Sequence, residues 1–188
     1  MSADWSRIAR RIRVPMGFIF AGVYLWLARP TFTSMAWSLL LVLPGLWLRG
    51  YAAGYVKKNA ELTMTGPYAY TRNPLYLGSM LIAFGFAAAS KSIVIVLLLA
   101  ILFAIIYIPV IRSEEIFLRS KFVDFDIYAA KVPRLLPRLR AARIADTNPA
   151  MGQGGFSFPL YRKHREYNAL MGATAIYAVL ALRIIFKH

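Results

Sequence analysis

The chain has 188 residues, 59% of them hydrophobic and 16% charged, and its 23 Lys and Arg outweigh 8 Asp and Glu for a formal net charge of +15. A mean hydropathy of +0.54, with apolar residues in long blocks rather than alternating or amphipathic patterns, excludes an ordinary soluble domain and predicts an all-α polytopic membrane protein. The lack of cysteine excludes disulfides, thiolate nucleophiles and cysteine-held metals, and His164 and His188 alone cannot form a histidine-rich metal centre.

Residues 1–13 carry Arg7, Arg10, Arg11 and Arg13 with Trp5 and Ile8 among them, the composition of a short interfacial helix. The apolar block 14–28 follows directly. With no small-residue cleavage pattern before Arg29 and Pro30, it reads as an uncleaved first span. A second span covers about residues 35–48, continuing toward Tyr55, and Pro44 and Gly45 predict a kink in it. The third, residues 75–89, is rich in small residues, among them Gly78, Ala83, Gly85 and Ala87, which suit close helix approach in lipid. Only Ser90, Lys91 and Ser92 separate it from the fourth, residues 93–111, so the two are expected to form a tight antiparallel hairpin. That hairpin would return residues 66–78 beside Arg112, Glu114 and Glu115.

Beyond it, Leu118, Phe122, Phe125 and Ala129 have the spacing of one amphipathic helix over residues 116–130. Val132-Pro133-Arg134-Leu135-Leu136-Pro137 ends that helix. A basic connection, residues 138–168, leads to a fifth span at 169–186. The whole chain reads as a single membrane domain. With the N-terminus inside, 19 of the 23 basic residues fall on the inner side, so the positive-inside rule predicts a cytoplasmic N-terminus and an outward C-terminus, in a cell inner membrane. The same placement between apolar blocks assigns the charge to topology and anionic lipid rather than to nucleic acid.

The stretch most suited to chemistry is Gly66-Pro67-Tyr68-Ala69-Tyr70-Thr71-Arg72-Asn73-Pro74-Leu75-Tyr76-Leu77-Gly78. Gly66 and Pro67 mark a turn, and Pro74 disfavours helix at Asn73 while suiting a first helical turn, so a helix is expected to begin near Pro74. Glu114 and Glu115 follow the fourth span in a basic setting. Adjacent helical positions point about 100° apart, so one carboxylate is expected to face the bundle and the other water. Taken singly these signals have plain structural readings: Arg72 as an interfacial anchor, the tyrosines as an aromatic belt, the glutamates as counter-charges to Arg112 and Arg119. Their order is the specific feature.

In that order the sequence resembles the isoprenylcysteine carboxyl methyltransferases and phospholipid N-methyltransferases. The resemblance covers about residues 45–137. It rests on Leu48-Arg49-Gly50-Tyr51-Ala52, Gly66-Pro67-Tyr68, Arg72-Asn73-Pro74-Leu75-Tyr76-Leu77-Gly78, Glu114-Glu115, Tyr128 and Val132-Pro133 to Pro137. Asn73 stands where the family pattern has His. The resemblance implies S-adenosylmethionine as methyl donor and a lipophilic small molecule or lipid as acceptor, an isoprenyl-type carboxylate or a lipid amine. Under it, Tyr68, Asn73, Pro74, Tyr76, Gly78 and Glu114 hold the cofactor while Arg72 and Glu115 position the acceptor, with the two glutamates interchangeable. Methyl transfer is an in-line displacement that needs alignment and a dry site more than proton chemistry. Two other classes fit the sequence: a membrane reductase with a nicotinamide cofactor, and a non-catalytic membrane scaffold.

Overall fold

The computed structural model describes residues 3–57, 61–142 and 154–186, with side chains from residue 15 onward. Every regular element among these residues is helical. The long helices are α1 (Ala3–Leu27), α2 (Phe32–Ala53), α3 (Pro74–Ala89), α4 (Ile93–Lys121) and α7 (Tyr167–Ile185). Two short ones, α5 (Phe125–Lys131) and α6 (Phe158–Lys163), lie in the connection between α4 and α7.

The five apolar blocks of the sequence are therefore five apolar helical segments. Three of them, α2, α4 and α7, are long and apolar enough to cross a membrane. The other two are shorter, Pro15–Leu27 within α1 and Pro74–Ala89. A 16-residue helix such as α3 rises only about 24 Å, less than the roughly 30 Å of a bilayer's hydrocarbon core. The surface is apolar where a soluble protein's would not be. Trp26, Trp37, Leu40, Leu97, Ile101 and Leu182 are exposed, and only 11% of the α7 window is buried. Lipid, in place of water, is the solvent for these faces.

Three expectations are corrected by the backbone. The basic opening segment is not a separate interfacial helix: from Ala3 it runs without a break into the first apolar block, Pro15 included. The amphipathic helix expected over residues 116–130 is two helices, because α4 continues to Lys121 and the chain turns at residues 122–124 before α5. The turn carries Phe125, Tyr128 and Val132 into one core with Met64, against which Leu118, Phe122 and Ala129 pack. The spacing had identified the right apolar residues, but not the change of direction that buries them. Finally, residues 138–168 are not wholly irregular, since α6 forms within them after Ser157 with Pro159 in its first turn.

By its internal packing the chain divides into two compact units. The first comprises Met1–Val42, Ala83–Phe117 and Ala175–His188. Within it, the Tyr24 hydroxyl donates to the Phe86 carbonyl at 2.9 Å and the Ser34 hydroxyl to the Ala89 carbonyl at 2.9 Å. Ser38 and Tyr177 share a 2.6 Å hydrogen bond, and the Phe86 and Tyr177 rings lie 5.0 Å apart. In apolar surroundings such side-chain contacts are what satisfy the polar groups the helices carry. The α3–α4 turn has Lys91 in the left-handed region at φ 54°, which reverses the chain within three residues as the short Ser-Lys-Ser link requires.

The second unit comprises Leu43–Ile82 and Leu118–Thr174. Here α2 and α3 pack backbone to backbone: a Cβ on Gly78 would lie 2.8 Å from the Gly45 carbonyl oxygen and 2.7 Å from Cγ of Arg49. Only hydrogen fits there. This unit also holds the whole Gly66 to Gly78 motif.

Candidate active site

The motif begins with a positive-φ turn. Gly66 has φ +58°, and a Cβ on it would meet the Tyr55 ring at 2.5 Å, so both backbone and space require glycine. A short 3₁₀ turn, Gly66–Ala69, follows, with Pro67 in its first positions and Tyr68 buried. Thr71 and Asn73 are buried as well. The helix then starts at Pro74, where the turn chemistry predicts it, and the Leu77 amide donates to the Asn73 carbonyl at 3.0 Å.

This turn is stitched along its length to the segment from Tyr128 to Ala142. The Tyr128 hydroxyl donates to the Tyr68 carbonyl at 2.8 Å. The Arg72 amide donates to the Pro133 carbonyl at 2.9 Å. The Thr71 hydroxyl donates to the Leu135 carbonyl at 3.0 Å, and Nδ2 of Asn73 to the Arg134 carbonyl at 2.8 Å. In return the amides of Arg138 and Ala142 donate to the carbonyls of Tyr70 and Ala69 at 3.0 and 2.9 Å. Two motifs about 60 residues apart thus form one body. Pro133 and Pro137 lack the amide hydrogen that a continued helix would need, so this irregular segment keeps its carbonyls available as acceptors.

Of the predicted site residues, this unit brings together Tyr68, Arg72, Asn73, Pro74, Tyr76 and Gly78. Their tasks differ. Tyr68 is anchored by Tyr128, Asn73 by Arg134, and Gly78 is taken up by helix packing. Arg72 is half-buried, with its guanidinium carbon 5.9 Å from the centre of the Phe125 ring, a cation–π contact that holds a charge at low water exposure. Tyr76 is half-buried on the first turn of α3. Glu114 and Glu115 belong to the other unit. There Glu115 is buried at 7% exposure while Glu114 is exposed, the division between neighbouring helical positions that the spacing predicts. A carboxylate at this burial beside a membrane span is costly unless it is paired or hydrogen-bonded.

One functional-looking feature escaped the sequence reading. Nε and Nη2 of Arg49 donate to Oε2 and Oε1 of Glu166 at 2.9 Å each, a bidentate pair with side chains 25% and 11% exposed. Arg49 also donates to the Ser79 hydroxyl and to the Leu75 carbonyl. The available signal was Glu166 itself, an acid set among Arg162, Lys163 and Arg165. Nearby, Tyr51 and Tyr55 share a 3.0 Å hydrogen bond. That bond, with burial behind it, pushes the Tyr55 phenol above its ordinary value.

Residues 33–124 match the family model described as phospholipid methyltransferase. This segment is similar to the phospholipid methyltransferases. It includes both the Gly66 to Gly78 motif and the Glu114-Glu115 pair, and it ends where α5 begins. Two named relatives are similar to about half of this chain. The nickel-cobalt-cadmium resistance protein NccN of Alcaligenes xylosoxydans xylosoxydans is 40% identical over 102 residues, 54% of this chain and 47% of that protein. The cobalt-zinc-cadmium resistance protein CzcN of Cupriavidus metallidurans is 40% identical over 98 residues, 52% of this chain and 44% of that protein. The chain thus spans about half the length of these relatives. No solved structure matches it.

Proposed function

We propose that this protein is an integral membrane methyltransferase that uses S-adenosylmethionine to methylate a lipophilic acceptor. The observation that carries the reading is the Gly66 to Gly78 motif, which lies within the residues that match the phospholipid methyltransferase model and is held in shape by the Tyr128 to Ala142 segment that follows them. The residue chemistry fits the cofactor. The amides at the start of α3 complement its carboxylate, the carboxylate of Glu114 complements its ammonium, and the ring of Tyr76 suits a sulfonium. When bound, the cofactor supplies an electrophilic methyl group on sulfur.

The protein's own share is orientation and exclusion of water. Tyr68, Asn73 and Pro74 fix the shape of the turn, Gly78 fixes how closely α2 and α3 approach, and Tyr76 and Glu114 complete the cofactor contacts. Arg72 and Glu115 position the acceptor. For a carboxylate acceptor Arg72 orients the nucleophilic oxygen; for an amine acceptor Glu115 takes the proton that blocks the nitrogen lone pair. Asn73 needs only to donate a neutral hydrogen bond, which its amide does as well as an imidazole N–H. The positive-inside charge pattern favours a cytoplasmic N-terminus and site, in a cell inner membrane.

The names of the two relatives connect those proteins with metal resistance. Among the described residues no group of three or more His, Cys, Asp or Glu is placed to hold a metal ion. The test is incubation of the purified protein with methyl-labelled S-adenosylmethionine and a total membrane lipid extract. Label in the organic phase that disappears with Arg72→Gln or Glu115→Gln supports the proposal. Label that never leaves the aqueous phase, with folded wild-type protein, refutes it.

A further inference from the structure

A cavity of about 600 Å³ lies within the second unit, outside the motif body. Its walls include Trp47 and Tyr51 of α2, Phe158 and Tyr161 of α6, Phe156 just before α6, and Glu166 ahead of α7. This volume is in the range of small-molecule sites. Its aromatic walls depend on two glycines one turn apart, Gly50 on α2 and Gly54 just past its end. A Cβ on Gly50 would lie 3.3 Å from the Tyr161 ring, and one on Gly54 would overlap the Phe156 ring. The Ser157 amide fastens this segment to the end of α2 by donating to the Gly54 carbonyl at 2.8 Å. The rings form two stacked groups: Trp47 on Tyr51 at 5.1 Å with Tyr51 on Phe156 at 6.1 Å, and Phe158 on Tyr161 at 5.8 Å.

Glu166 is the charged residue of the lining, and Arg49 is not part of it. The bidentate pair therefore turns its negative member toward the cavity. A carboxylate has about four lone-pair sites, and the two Arg49 donors leave room for another cation. Aromatic rings present negative faces to a positive charge. Arg162, Lys163 and Arg165 are exposed near Glu166 in the chain, so long-range attraction of a cation is weak and selection must come from the ring and carboxylate contacts themselves.

We propose that this cavity binds the cationic nitrogen of a lipophilic ammonium compound, with Glu166 as counter-ion and the Trp47 and Tyr161 rings beside it. The apolar tail runs along the exposed lipid-facing surface at Leu170. The proposal assigns a role to the α6 segment and the start of α7, which lie outside the residues that match the phospholipid methyltransferase model. It concerns binding alone and holds whether or not methyl transfer occurs.

Equilibrium dialysis of the full chain in uncharged maltoside micelles, against labelled octyltrimethylammonium, octanol and octanoate, tests it. The ammonium probe should bind roughly tenfold more tightly than either other probe. Trp47→Leu and Glu166→Gln should each weaken it by about tenfold while octanol binding stays as it was. Glu166→Gln also disturbs Arg49; Trp47→Leu does not touch that pair, so it alone suffices if the other variant fails to fold. Equal affinity for octanol, preference for octanoate, or an unchanged affinity in Trp47→Leu overturns the proposal.

Discussion

The side-chain amide of Asn73 donates to the main-chain carbonyl of Arg134 at 2.8 Å, joining the residue before α3 to the loop that follows α5. The position needs a donor. Asn73→Asp would set a carboxylate against a carbonyl at a site only 9% exposed, and should destabilise the protein by about 1–3 kcal/mol. Asn73→His keeps an N–H and should lie nearer the wild type. Thermal unfolding of the two variants in uncharged detergent orders them.

Tyr128 makes the same joint from the other side. Tyr128→Phe keeps the ring in its core and removes only the hydroxyl that donates to the Tyr68 carbonyl. A loss of about 1 kcal/mol in unfolding free energy is expected, with hydrogen exchange of the turn amides accelerated more than that of α7.

Gly78 should tolerate no side chain. In Gly78→Val the added carbons meet the Gly45 carbonyl and the Arg49 stem, forcing α2 and α3 apart at a cost of roughly 1–3 kcal/mol. A lower unfolding temperature and a reduced yield of monodisperse protein are the readouts.

The Arg49 and Glu166 pair should behave as a unit. Removing either partner leaves a poorly hydrated charge and should cost about 3 kcal/mol or more. The double replacement Arg49→Met with Glu166→Leu should cost less than the sum of the single changes. A double-mutant cycle on unfolding free energies measures the coupling.

The helical architecture was legible in the sequence because lipid imposes it: apolar blocks of this length have only helices available to them. Pro74 as a helix start and the opposite burial of Glu114 and Glu115 were legible from turn chemistry and helical spacing. The turn at residues 122–124 was not, since a helical period continues through Phe122, Phe125 and Ala129 although the chain changes direction there. The stitching of Thr71 and Asn73 to Leu135 and Arg134 was also hidden. Those bonds end on main-chain carbonyls, and a carbonyl acceptor leaves no mark on residue type. Glu166 was passed over for a related reason: its partner Arg49 lies 117 positions away, where no local pattern connects them.

The central claim is that the protein takes S-adenosylmethionine, and calorimetric titration of the detergent-purified chain with that compound and with its demethylated product tests it most directly. The account predicts binding by the wild type, weakened at least roughly tenfold in Tyr76→Leu and in Glu114→Gln, with unfolding temperatures showing both variants folded. Folded wild-type protein that takes up neither compound would contradict it.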